Sequence, residues 1–188
     1  MNTSYVTPGK PGISGAIYRA PAGTEVPTDA STPLSAAFKE LGFVSEDGVS
    51  NENTAEKTEV YAWGGSQVMS TTDRKPDKFK FTLYEALNPE VLKVTYGDKH
   101  VDVSEDSKTI TVTATPDDPD EFVLVIDMAL KGGALKRIVI PKAELSNVAE
   151  IVYRDNAPIG YALTVAAMPD GENGTHKEYI KLPGGVTA

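Results

Sequence analysis

Apolar and polar positions alternate with a period of two along much of the chain, and that period predicts strands. Across 77–84, Phe79, Phe81 and Leu83 alternate with Lys78, Lys80 and Thr82. Across 108–115, Ile110, Val112 and Ala114 alternate with Thr109, Thr111, Thr113 and Thr115. That is the pattern of a half-buried strand with a threonine ladder on its wet face. Ile159, Tyr161, Leu163 and Val165 mark one face of a strand over 159–167. Residues 122–130 are apolar on nearly both faces, interrupted by Asp127, as expected of a central strand covered on two sides. Lys131-Gly132-Gly133-Ala134 then turns the chain into a strand over 135–140 as a hairpin. Further strands are expected at 16–20, 41–45, 58–63, 68–72 and 144–153, with Gly64-Gly65 folding 58–63 back onto 68–72.

Helical signals are few. Asn88 is placed to cap a helix, Pro89 fits its first position and Glu90 complements the dipole. Val91, Leu92, Val94 and Tyr96 form the apolar stripe, and Gly97 ends it. A shorter helix is expected over 34–41, after Thr32-Pro33 and before Gly42. The fold class that follows is mainly β, an antiparallel β-sandwich or barrel flanked by one α-helix, with a long protruding loop. One domain is expected over 1–188, with a flexible N-terminal arm at 1–12, the long loop at 45–59 and a flexible C-terminal tail at 183–188. Neither an internal repeat nor a domain linker is visible.

Composition narrows the function classes. Hydrophobic residues make up 40% and charged residues 24% of 188, an ordinary balance for a soluble globular protein. The longest apolar runs fall well short of the roughly 18 residues that cross a bilayer, so no membrane association is expected. Residues 1–6 show neither a basic nor an apolar stretch, so no signal peptide is expected. With no cysteine, disulfides and thiolate chemistry are excluded, and assembly in a reducing cytoplasm is expected. The tripeptides Asn2-Thr3-Ser4 and Asn173-Gly174-Thr175 are chance sequons in that setting. A net charge of −9 opposes tight nucleic-acid binding, though it suits a protein past which nucleic acid must slide.

No catalytic constellation emerges. The two histidines, His100 and His176, lie in loop contexts and read as surface residues. Gly12-Ile13-Ser14-Gly15 misses the spacing of a nucleophile elbow, and Gly9-Lys10-Pro11-Gly12 misses that of a phosphate loop. Asp117-Asp118-Pro119-Asp120-Glu121 lacks the glycine and terminal glutamate of a calcium loop and reads as a solvated turn. Trp63 reads as a strand-end packing residue. The expectation is a non-enzyme without cofactor or metal.

Charge is instead concentrated around the long loop. Residues 45–59 carry Glu46, Asp47, Glu52, Glu56 and Glu59, with Asn51 and Asn53, against the single base Lys57. Arg74, Lys75, Lys78 and Lys80 follow the next strand. One reading is a solvated loop beside a charged hairpin. The other is an acidic arm that docks on the basic patch of a neighbouring copy, a head-to-tail contact that closes into rings or propagates as a filament. Open strand edges invite the same outcome, since they pair with other chains unless covered or used.

Several segments carry a family resemblance. They are Gly15-Ala16-Ile17-Tyr18-Arg19-Ala20-Pro21, Leu41-Gly42-Phe43-Val44-Ser45-Glu46-Asp47-Gly48, Ala62-Trp63-Gly64-Gly65, the run from Phe81 to Leu92, Tyr96-Gly97 and the run from Asp127 to Pro141. In order and over nearly the whole chain, they resemble the major tail tube proteins of long, flexible-tailed bacteriophages. The resemblance implies a non-enzymatic virion protein, a β-sandwich with a flanking helix, that assembles in the host cytoplasm as a homohexamer. Its rings stack into a hollow tube, with a long loop from each subunit reaching the next ring. It further implies a tape-measure protein in the lumen, tail terminator and baseplate or distal tail proteins at the ends, and DNA passing through without specific binding. On that reading 45–59 is the inter-ring loop and 88–96 the flanking helix. Two alternatives remain at this point: the tube of a contractile injection or secretion system, which would have a separate sheath partner, and a carbohydrate-binding β-sandwich using Trp63 and tyrosines as platforms.

Overall fold

A computed structural model describes residues 3–12, 15–117, 119–171 and 174–183. Both sequon asparagines, Ile13-Ser14, Asp118, and positions 1–2 and 184–188 of the expected terminal arms lie outside the described residues. Among the described residues the fold is mainly β, with one large antiparallel sheet and a single α-helix.

In chain order the strands are β1 (Lys10–Pro11), β2 (Ile17–Pro21), β3 (Lys39–Glu40), β4 (Val44–Glu52), β5 (Glu56–Tyr61), β6 (Gln67–Arg74) and β7 (Lys78–Leu83). Helix α1 (Pro89–Tyr96) follows, then β8 (Val101–Val103), β9 (Ile110–Val112), β10 (Phe122–Ala129), β11 (Leu135–Val148), β12 (Tyr161–Ala167) and β13 (Lys177–Lys181). The large sheet runs β3-β2-β10-β11-β12-β7-β4, with β1 added to β10 and β13 to β11. Its two end strands, β3 and β4, are joined by Leu41, Gly42 and Phe43 alone. Leu41 N–H donates to Ile17 C=O on one side, and Phe43 C=O accepts from Tyr84 N–H on the other. So short a link between opposite edges requires the sheet to roll up like a barrel.

The rolled sheet has a core on each face. Inside, Val91, Leu92 and Val94 of α1 pack against Ile17, Leu41, Phe79, Phe81, Leu83, Leu124, Ile126, Ile140, Leu163 and Val165. Outside, Ala20, Val123, Val125 and Val139 are covered by Phe38, Leu34 and Val26 of the 22–38 connection and by Tyr179 of β13. Strand β10 contributes to both clusters, which is why its sequence is apolar on both faces.

Several expectations need correction. Residues 34–41 are not helical: Phe38 N–H closes a turn on Ser35 C=O, and Lys39–Glu40 pair with β2. In so short a segment tertiary packing decides, and here it anchors Leu34 and Phe38 on the outer core. The strand expected at 41–45 starts only at Val44. The threonine-rich strand shrinks from 108–115 to Ile110–Val112, because its partner β8 offers only three residues. Residues 135–140 and 144–153 form a single strand, β11, ending at Val148. Pro141, which has no N–H, lies between Ile140 and Ala143, where the register with β10 shifts.

The largest correction concerns 45–59. Residues 44–52 are strand β4 and 56–61 are strand β5, so this is not one long loop. The stretch reads as loop because it is rich in acids and asparagine, yet β4 ends the sheet and keeps one edge in water, where polar residues are tolerated.

Candidate assembly surfaces

What projects from the body is a hairpin. Strands β5 and β6 pair only with each other, and every residue from 56 to 75 is exposed. Val60 lies opposite Met69, and Thr58 opposite Thr71. At the tip Ala62 N–H donates to Ser66 C=O, while Gly64 and Gly65 both take positive φ, at 107° and 87°. Side chains resist that conformation, so the adjacent glycines are what allow the turn. Trp63, beside them, is fully exposed and is not the packing residue the sequence suggested. A two-stranded hairpin is marginal in water by itself. One that also displays Val60, Tyr61, Trp63, Val68 and Met69 to solvent has the character of a contact surface.

The charged residues singled out in the sequence separate into groups. Glu46 and Asp47 lie in a bulge of β4, where the register with β7 shifts between Val44 and Val49 and Gly48 turns at φ 69°. Glu52 pairs with Lys80 at 2.5 Å and sits opposite Lys78 in register. The Lys80 bond and charge hold the Glu52 carboxyl below its usual pKa. Glu56 pairs with Arg74, and Glu59 accepts from Tyr61 Oη at 2.5 Å. Asn53 and Lys75 are exposed on the two strands' connections to the body. Acids and bases that read as complementary surfaces of two copies are therefore paired within one chain at Glu52–Lys80 and Glu56–Arg74. Both pairs are solvated, so they can exchange partners at small cost.

Asn51 is different. Its Nδ2 donates to Asp77 Oδ1 at 2.7 Å and to Lys78 C=O at 3.3 Å, so it belongs to the body. Asp77 is buried at the hairpin's root and also meets Thr175 Oγ1 at 2.6 Å and His176 Nδ1 at 2.5 Å. The His176 ring stands edge-on to Phe79, with ring centroids 5.3 Å apart. His176 is thus an inward residue, not the surface histidine expected. Thr175 bonds the carboxylate and not the imidazole, so the cluster is no nucleophile–base relay. The sequence held one signal for it: Asp77 shares parity with Phe79, Phe81 and Leu83, the buried positions of β7. His100 lies half-buried, its Nε2 3.2 Å from Thr115 Oγ1.

Helix α1 is held as its sequence implies. Asn88 Oδ1 accepts from Glu90 N–H at 3.0 Å, Pro89 opens the helix, and Gly97 N–H donates to Lys93 C=O beyond Tyr96. Buried Arg19 of β2 reaches across with two bonds of 2.7 Å to the Asp98 carboxylate and one of 3.5 Å to Glu90. Its hydrogen bonds hold Asp98 below the usual carboxylate range. On the outer face Arg137 grips Asp127 through two bonds of 2.7 and 2.8 Å and donates to the carbonyls of Asp29 and Thr32. These clamps fix α1 and the 22–38 connection to the sheet. Among the described residues no group of three or more His, Asp or Glu is placed to hold a metal ion, and no helix is long and apolar enough to cross a membrane.

A rolled antiparallel sheet, one packed helix and a projecting hairpin thus make up the described fold. The family model described as "Phage tail tube protein" matches residues 2–181. The chain belongs to the phage tail tube protein family. Membership makes it a structural component of the virion tail that self-assembles there with other tail proteins. No curated protein matches the chain.

Proposed function

We propose that this chain is a non-enzymatic tube subunit that forms hexameric rings, stacks them into a hollow tail tube, and so builds the conduit for DNA delivery. The β5–β6 hairpin is the carrying observation: an exposed, apolar-tipped projection with no packing role in its own fold. In this reading the hairpin, and not residues 45–59 as a whole, makes the contact between rings. The tape-measure protein fills the lumen during assembly in the host cytoplasm, and terminator and distal tail proteins close the ends. A charge of −9 on every copy repels phosphate, which favours passage of DNA without sticking.

Imaging the concentrated protein by electron microscopy tests this directly. Sixfold rings and stacked tubes are expected. A compact monomer at every concentration and salt condition would overturn the proposal.

A further inference from the structure

We propose that an apolar groove at the opposite end of β7 from the hairpin receives the Trp63 tip of a second copy of this chain. The inference rests on the tube-subunit reading and names the surface that completes it. Strands β4 and β7 set the polarity. At one end Glu52 faces Lys78, and the hairpin leaves from there. At the other end Val44 faces Leu83, and β12 brings Tyr161 to the same level. The six residues of β7 hold these ends roughly 20 Å apart.

At that far end a groove of about 590 Å³ is lined by Tyr84, Ala86, Leu87, Pro158 and Ile159, with Glu85 and Asn88 beside them. Leu87 is exposed, and Phe43, whose C=O accepts from Tyr84 N–H, adds a second exposed apolar side chain at the same end. Glu85 is the one charged lining residue. Its carboxylate already accepts from Phe43 N–H at 3.1 Å and from Asn88 Nδ2 at 3.0 Å, so it calls for no cation from a partner.

Charge selects the occupant. Two copies at −9 repel, and they approach most easily where each is uncharged. The hairpin tip carries no charge from Ala62 through Met69. Tip and groove lie at opposite ends of one strand pair, so joining them is a head-to-tail contact that repeats from copy to copy without being used up. Burying one tryptophan removes about 150–250 Å², far below the ~1,200 Å² of a stable pair. A single contact therefore does not hold two free chains together. It acts when several form at once.

The chain has no cysteine, which makes cross-linking decisive. Ser66→Cys and Ala157→Cys flank the tip and the groove while leaving Trp63, Leu87 and Ile159 in place. In the assembled full-length double variant, mild oxidation should give a ladder of disulfide-linked multimers. A control pair, Ser66→Cys with Thr111→Cys on β9, should not. In parallel, emission of Trp63, the chain's single tryptophan, should shift to shorter wavelength on assembly, and Leu87→Asp should lose that shift while unfolding at the same midpoint. Tubes that form with the tip and groove cysteines linking no faster than the control pair would overturn the groove assignment and leave the tube reading standing. Failure of the unmodified chain to associate at all would overturn both.

Discussion

His176 Nδ1 meets Asp77 Oδ2 at 2.5 Å, joining residues 99 apart in sequence at the root of the hairpin. Burial alone would raise the Asp77 carboxyl. Bonds from Thr175, Asn51 and His176 outweigh burial and hold it below its usual 3.8. A carboxyl with a lower pKa folded than unfolded contributes its full stability above the unfolded value, and loses it as pH falls through the folded one. The protein should therefore lose stability on acidification below about 3.8. Asp77→Asn should be roughly 3 kcal/mol less stable at neutral pH and should lack this part of the acid dependence. Urea denaturation from pH 7 down to pH 2 measures both; parallel acid slopes in the two proteins would refute the assignment.

The second clamp predicts a difference between two basic side chains. Arg137 holds Asp127 through two parallel bonds and two loop carbonyls through Nη1, a fork that lysine does not reproduce. Arg137→Met strands a half-buried carboxylate and releases the 22–38 connection, at a cost of about 3 kcal/mol. Arg137→Lys should recover less than half of that in chemical denaturation. In amide exchange, both variants should lose protection around Phe38, whose N–H closes the turn on Ser35.

How much of this was legible in the sequence depended on where each residue's partners lie. Helix α1 was readable because its cap, first proline and terminal glycine are all local signals, and each appears in the structure as expected. The buried faces of β7, β10 and β12 were readable because alternation survives whatever the neighbours are. The order of strands was not, since β2 pairs with β10 across about a hundred residues that leave no mark on either. Residues 45–59 misled because edge-strand and loop compositions overlap when one side of the strand meets water. Trp63 misled for the opposite reason: a large apolar side chain is usually buried, and here the Gly64-Gly65 turn carries it away from every core. The Arg19–Asp98 and Asp77–His176 contacts span 79 and 99 residues, and sequence alone offers no way to match such partners.

Charge on the strand pair can be separated into its roles within and between chains. Glu52–Lys80 and Glu56–Arg74 are solvated pairs, so reversing either base alone should barely move the unfolding midpoint. The swap Glu52→Lys with Lys80→Glu keeps the internal pair but inverts the pattern that a neighbour meets. If charge guides stacking, the swapped protein should assemble poorly with itself, and its deficit should shrink in high salt as screening grows. Light scattering across a salt series reads the outcome. Unchanged assembly kinetics at low salt would leave these charges only their internal role.

Removing the hairpin tests the separation of fold from assembly. The cut must spare Asn51, Glu52, Asp77 and Lys78, because these residues close β4 onto β7 and satisfy the buried carboxylate. Replacing residues 56–74 by a short glycine-containing link deletes only exposed residues of a hairpin whose two strands pair with each other. Since no core residue is lost, the unfolding midpoint of the shortened chain should match that of the parent within experimental error. Tube growth should stop, and any product should be no larger than a single ring. Tubes of normal length from this variant would show that ring stacking runs through another surface. A collapse of the midpoint would show instead that the hairpin supports its own body, contrary to its exposure along both strands.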